Sequence, residues 1–374
     1  MTYDVIVAGA GPAGATAAYW LSKAGYRVVV LEKEELPRYK PCGGGVPQAV
    51  FDRFPFDFSA VVERWVRSVR FRFRDGREVV AELPDRAVAM VMRDQFDLHI
   101  LEHARADVRD QDPLVALDQD ESGVRVTTAS GDILHARYLI GADGANSRVS
   151  RLVGLRQDAQ RGIAIEAEVP VDEGLLEEYT DRALFVFGTP SQGYLWVFPK
   201  AEHLSVGVGT FRERTSAMKP TLRAEMGRLG IAIDGARLRG HPLPIHLKRE
   251  PLQKGRVLLA GDAAGLMDPL LGEGIRHAVD SGKLAATSLL RSNPKRYSQR
   301  IHREIGRDLL WGHLWAQLFY DHPRGSFELA VRNPRFVSDF LRLFAGEISY
   351  RRMAIRAIPN VVLGLGQRLP VKRR

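Results

Sequence analysis

One cysteine, Cys42, is all that 374 residues contain. An intramolecular disulfide is therefore excluded, and this usage fits a reducing, cytoplasmic compartment. Long apolar runs are missing too. No stretch reaches the ~18 residues that a spanning helix needs. No leader is expected, because residues 3–8, Tyr-Asp-Val-Ile-Val-Ala, already read as a strand. There is no internal repeat and no long low-complexity linker, and no metal site is expected. With 45% apolar residues the chain has the composition of a globular protein, long enough for two domains or one large interleaved one.

Acidic residues are scarce in one region only. Residues 295–374 hold 16 Lys and Arg against 6 Asp and Glu, an excess of 10, while the whole chain carries +9. Residues 1–294 are therefore close to neutral. The basic segment also reads as helical. Ile301, Ile305, Leu309, Leu314 and Leu318 recur at helical spacing, with Trp311, Trp315, Phe319 and Tyr320 among them. Pro334 is predicted to open a second helix carrying Phe336, Val337, Phe340, Leu341 and Phe344, and 353–365 is a third candidate. Basic, apolar, tryptophan-bearing helices suit an anionic membrane surface. They equally suit a solvated basic face packed on the body. No nucleic-acid motif accompanies the charge, so nucleic acid is not an expected partner.

The first strand runs into Gly9-Ala-Gly11-Pro12-Ala13-Gly14, then a helical run to Ala24, then Arg27–Leu31 and Glu32-Lys33. Strand, glycine loop, helix, strand and acid follow in the order that a dinucleotide site requires. Gly9 allows the tight turn, Gly11 the approach of a pyrophosphate, and Gly14 close packing of the helix, whose N-terminus faces the phosphates. Glu32 stands where a carboxylate can accept hydrogen bonds from an adenosine ribose. The loop alone does not separate NAD from FAD.

Two later segments do, by resemblance. Tyr138-Leu-Ile-Gly-Ala-Asp143-Gly and Arg256-Val-Leu-Leu-Ala-Gly261-Asp262 resemble the Asp-Gly and Gly-Asp segments of the single-Rossmann FAD-dependent hydroxylase and reductase superfamily. Leu270-Leu-Gly272-Glu-Gly274-Ile275 continues the second. Arg38-Tyr-Lys40-Pro-Cys42-Gly43-Gly-Gly45, Arg93-Asp-Gln-Phe-Asp97 and Tyr194-Leu-Trp196-Val-Phe198-Pro-Lys200 narrow the resemblance to the geranylgeranyl reductase family. That resemblance spans about residues 1–290. It implies FAD, with Asp262 at the ribityl chain, Asp143 in the Asp-Gly cofactor segment, and Gly272, Gly274 and Ile275 at the pyrimidine end. It also implies that Cys42, Gly43 and Gly45 line the flavin, that Arg93 contacts the cofactor, and that Tyr194 and Trp196 line a prenyl tunnel. Members saturate isolated double bonds of polyprenyl chains.

In a strand, Tyr194, Trp196 and Phe198 share one face and make a continuous aromatic wall. The same alternation also describes ordinary sheet core. Asp75-Gly76 marks a hairpin between 66–74 and 77–83, and 161–170, 183–189, 193–199 and 203–211 extend it into an antiparallel sheet. The expected fold is thus α/β: a Rossmann-like FAD-binding domain (1–64, 90–158, 250–292), an inserted antiparallel β-sheet substrate domain (65–89, 159–249) and a C-terminal helical region (293–374).

Reduction of an isolated double bond needs a hydride from flavin N5 and a proton. Cation character develops at the more substituted carbon, which aromatic faces stabilise. Cys42, Tyr194 and Trp196 are the catalytic candidates, Cys42 as proton relay or loop former. Phe198 and Lys200 join the substrate wall, Lys200 anchoring the strand end or meeting an anionic head group. His277 reads as structural. NADPH or ferredoxin is the expected electron donor. Two other classes remain in view: a flavin monooxygenase or halogenase, whose Trp-x-Trp-x-Ile-Pro strand is similar to Tyr194-x-Trp196-x-Phe198-Pro, and a non-catalytic electron carrier or lipid-binding module.

Overall fold

The computed structural model describes residues 2–156, 160–190, 192–211 and 217–356, with the side chains of 160 and 161 left aside. Thr2–Ala8 lies inside an eight-stranded sheet. Val5 to Ala8 are apolar without alternation, as a parallel strand covered on both faces requires. The strand pairs in parallel with Val28–Leu31 on one side and Ile133–Gly141 on the other. Val257–Leu259 and Asp107–Arg109 extend the parallel set outwards. Helices Pro12–Lys23 and Ile275–Leu290 share one core with this sheet. Small residues let them approach: a Cβ on Gly282 would stand 2.2 Å from the Ala13 carbonyl oxygen.

The second large sheet has seven strands in the order Arg239–Ile245, Gln160–Pro170, His203–Thr210, Gly193–Pro199, Arg182–Phe187, Ser68–Phe73, Glu78–Glu82. The predicted hairpin forms at Asp75-Gly76, with Gly76 at φ +92°. The sheet is not wholly antiparallel, because Arg182–Phe187 runs parallel to Ser68–Phe73. The hairpin comes from an earlier stretch of chain, so no tight turn forces antiparallel pairing there. Arg239–Ile245 is an unforeseen edge strand. Pro242 and Pro244 hide it in sequence, yet an edge tolerates the missing N–H groups. A three-stranded sheet of Gly45–Pro47, Val88–Val91 and Val62–Val66 was also unforeseen, its strands being too short to show a period.

Helical segments Tyr297–Ile301, His302–Gly306 (π-helical) and Arg307–Asp321 run on without a break. Pro323–Val331 and Pro334–Phe344 follow, the latter starting at the predicted proline with Asn333 capping the Phe336 amide at 3.2 Å. Residues 350–356 are helical, and the rest of the 353–365 candidate lies outside the described residues. Leu309, Gly312, Ala316 and Tyr320 form the buried stripe of Arg307–Asp321. Leu314 and Leu318, expected on the same face as Leu309, are exposed with Leu310 and Trp311. The step from 309 to 314 is five residues, out of phase with a helical stripe. Among the described residues no helix is long and apolar enough to cross a membrane.

Candidate active site

A cavity of ≈ 610 Å³ has walls from both large sheets. At one end is the loop after the first strand. Gly9 sits at φ +102°, and a Cβ there would lie 2.3 Å from the Ala142 carbonyl oxygen, so both conformation and space demand glycine. Gly11, Pro12 and Ala13 line the cavity. Gly14 does not; it packs behind, where a Cβ would lie 1.9 Å from the Gly9 oxygen. The helix that begins at Pro12 has no side-chain cap. Its first N–H groups and its dipole are therefore free to meet an anion.

Glu32 is buried at the same end, with Lys33 beside it on the cavity wall. Its carboxylate accepts from the Ala10 amide at 2.8 Å and the Lys33 amide at 2.9 Å, and Arg38 Nε lies 3.2 Å away. Arg38 continues to Asp97 at 3.2 Å, and Asp97 holds Arg93 bidentately at 2.9 and 2.8 Å. This chain of alternating charge was not visible in sequence, because Arg38 and Asp97 are 59 residues apart. Arg93 lines the cavity beside the Cys42 thiol, at the start of helix Arg93–Glu102.

Loop residues Cys42, Gly43, Gly44 and Gly45 cross the middle of the cavity. The half-buried Cys42 thiol accepts the Gly44 amide at 3.4 Å. Lys200 lies beneath, fully buried, its ammonium donating to the Gly43 and Val91 carbonyls at 2.9 and 2.7 Å. Burial pulls its pKa below the usual lysine value against the opposing pull of Glu168. Lys200 is not part of the cavity wall. Its side chain ties the loop down, which answers to the anchoring role and leaves no ammonium for a head group.

The seven-stranded sheet presents Tyr194, Trp196 and Phe198 to the cavity. The intervening Leu195 and Val197 pack into the core on the other face. Trp196 stands opposite Gly207, and a Cβ on Gly207 would lie 2.1 Å from the indole, so the ring spreads across that glycine. A Cβ on Gly43 would lie 3.1 Å from the indole nitrogen and 2.8 Å from Phe198. Two glycines thus make the slot that holds Trp196. Its Nε1 is buried with no hydrogen-bond partner among the described residues. Glu166, Ala164, His241 and Leu243 complete this wall. Glu166 and Tyr39, which donates its hydroxyl to Glu166, escaped the sequence reading. The available signal was an acid amid the apolar strand Ile-Ala-Ile-Glu166-Ala.

Asp262 lines the far side, with Lys40 at 3.4 Å and His241 at 3.8 Å. Burial alone would raise its carboxyl, but Lys40, His241 and Arg93 together hold it below the usual carboxylate range. Asp143 lines the cavity too and accepts from the Ser147 hydroxyl and the Arg148 and Val149 amides, which orders the helix start there. Gly272, Gly274 and Ile275 close the end, at the uncapped start of helix Ile275–Leu290. Tyr194 donates its hydroxyl to the Leu271 carbonyl. Asp268 stands behind, accepting Tyr350 at 2.8 Å and the Leu270 and Leu271 amides at 2.8 Å. His277 is buried one turn on, and burial pushes its imidazole down to about 3, so it is neutral. Phe185, Tyr194 and Leu271 also border a second, apolar pocket of ≈ 50 Å³, roofed by Trp315, Phe319 and Phe340 of the C-terminal helices.

The FAD binding domain model matches residues 2–292. Geranylgeranyl diphosphate reductase of Synechocystis is 31% identical, over 81% of this chain and 79% of that protein. The chain belongs to the geranylgeranyl reductase family of FAD-binding proteins. A menaquinone reductase of Mycobacterium tuberculosis is 29% identical over 96% of this chain and 91% of its own. Among solved structures, a geranylgeranyl bacteriochlorophyll reductase-like protein from Thermoplasma acidophilum superposes with a TM-score of 0.74 at 24% identity, covering 85% of this chain and 88% of that one. A flavin-dependent brominase, Bmp2, shares the fold at 0.71 and 20%, over 97% of this chain and 100% of its own.

This member of the family is an FAD-dependent oxidoreductase, and its residues fit the cofactor. The Gly9 cradle admits no side chain, the helix at Pro12 is uncapped, and the cavity runs on from Glu32 to the second uncapped helix start at Gly274. Bound there, FAD supplies redox chemistry that none of these side chains possesses.

Proposed function

We propose that the protein saturates isolated double bonds of a geranylgeranyl or other polyprenyl chain. The observation that carries this is an almost wholly apolar pocket set against the aromatic wall of the cofactor cavity. Tyr194 and Phe185 border both spaces. A prenyl chain gains roughly 0.8 kcal/mol per CH₂ buried in such a space. The electron-rich faces of Tyr194 and Trp196 suit a cation developing on the alkene. Cys42 and Phe198 complete the contact surface. NADPH or reduced ferredoxin would re-reduce the cofactor.

Such a substrate resides in a membrane. Leu310, Trp311, Leu314 and Leu318 are exposed along the helix whose Trp315 and Phe319 roof the apolar pocket. Together with the basic charge of 295–374 they support peripheral seating on an anionic bilayer. The deciding experiment is anaerobic incubation of the dithionite-reduced protein with geranylgeranyl diphosphate and prenyl quinones, read by mass spectrometry. Products heavier by two hydrogens support the reading. Substrate consumption that requires oxygen would replace it with a monooxygenase or halogenase. Bound lipid with no turnover would leave a carrier.

A further inference from the structure

Saturating a double bond takes a hydride and a proton, and reduced FAD supplies the hydride. We propose, on the reductase reading above, that the Glu166 carboxyl delivers the proton, with the Tyr39 hydroxyl holding the carboxylate that remains. Glu166 lies on the cavity wall yet is only 1% exposed. It stands opposite Gly207, which stands opposite Trp196. Gly207 has no side chain and the indole spreads across it, so residue 207 puts no side chain between carboxyl and indole. A cation forming against Trp196 is thus next to the acid.

The surroundings favour a protonated resting state. One carboxyl oxygen receives Tyr39, and Oε2 is buried with no hydrogen-bond partner among the described residues. An ionised carboxylate left so is costly, whereas the acid can point its proton into the cavity. Burial first, and Glu168 two residues on, push the group up to about 7. The Tyr39 hydroxyl, the Cys42 backbone amide and the Lys200 ammonium oppose this without prevailing. Arg239, across the strand pair, lies over the Tyr39 ring at 3.9 Å from its centroid. His203 Nε2 is 2.9 Å from Glu168.

The balance is simple. The π bond breaks, one carbon takes the hydride and the other takes the Glu166 proton. The substrate gains two electrons, FAD is left oxidised, and Glu166 is left as carboxylate. Tyr39, held protonated by burial and by Glu166, donates to that carboxylate until solvent returns a proton.

The first test is a pH-difference infrared titration of the oxidised, FAD-loaded protein without substrate. A carboxylic-acid band should vanish near pH 7 in the wild type and be missing in Glu166→Gln. The second is anaerobic single-turnover oxidation of the dithionite-reduced protein by geranylgeranyl diphosphate. The wild-type rate should fall above about pH 7, and Glu166→Gln should be slower by roughly 10²–10⁴-fold with that pH step gone. Tyr39→Phe should move the step to higher pH. A Glu166→Gln protein with wild-type rate and profile overturns the assignment and leaves the reductase reading standing. A wild type that never oxidises its flavin with any prenyl substrate overturns both. If Glu166→Gln does not load FAD, Glu166→Asp serves: a titrating band unmoved by that change also overturns the proposal.

Discussion

Gly207→Ala tests the slot that holds Trp196. The added Cβ would stand 2.1, 2.5 and 2.6 Å from indole carbons Cζ2, Cη2 and Cε2. Carbon–carbon contacts are ordinary near ~3.5 Å, so the ring must move by about 1.4 Å. Its movement is restricted. The Gly43 backbone crowds the indole nitrogen, and the Tyr194 and Phe198 rings flank the indole at 6.2 and 6.3 Å between centroids. Gly207 is not in the left-handed region, so alanine brings no backbone strain and the effect is steric. Overpacking of a dense interior costs roughly 1–3 kcal/mol.

The assay is chemical denaturation of the FAD-loaded protein for wild type, Gly207→Ala, Trp196→Leu and the double variant. A leucine side chain is too short to cover residue 207, so the alanine penalty should drop to about zero in the Trp196→Leu background. The expected coupling is therefore about 1–3 kcal/mol, with Trp196 emission altered in Gly207→Ala alone. An equal penalty in both backgrounds would refute the argument that the glycine exists for the indole.

Trp196→Leu with normal FAD content should slow alkene reduction roughly thirtyfold, the equivalent of a desolvated cation–π contribution of about 2 kcal/mol, in anaerobic single-turnover traces. Glu32→Ala should weaken FAD by roughly 1–3 kcal/mol in equilibrium dialysis, because charged hydrogen bonds at the loop are lost. Asp268, raised to about 6 by burial, stabilises the fold fully below its unfolded value of 3.8 and loses that contribution as pH rises through 6, about 3 kcal/mol in all. Stability measured between pH 4 and 7 should therefore fall less steeply in Asp268→Asn, and parallel slopes would count against the buried carboxylate. Co-sedimentation with anionic vesicles should drop with salt and with Leu314→Glu, and equal binding to neutral vesicles at high salt would argue against charge.

The cofactor half of the site was legible because its information is local. Gly9 to Glu32 lie within one strand–helix–strand unit, and each residue type there answers a demand made by its immediate neighbours. The polar half was not. Glu166 meets Tyr39 across 127 residues, and Asp268 meets Tyr350 across 82. No period or spacing announces such pairs, since the register of separate strands and the docking of a distant helix create them. Lys200 was legible only in part: the strand end suggests an anchor or a head-group contact, and only the loop folded over it decides between them.

The aromatic strand shows where the boundary lies. Alternation alone left wall and core equally open, and the structure contains both: Leu195 and Val197 pack into core while Tyr194, Trp196 and Phe198 line the cavity. What separates the faces is on the neighbouring strand. Val206-Gly207-Val208-Gly209 keeps its valines on the core side and its glycines beneath the aromatic rings. Glycine on one face only of a strand costs stability and contributes no packing. Its presence at alternate positions means that something large must lie across it. A trough of this kind can be read from sequence once both strands are considered together, and it marks the even-numbered aromatics as the face that lines the cavity.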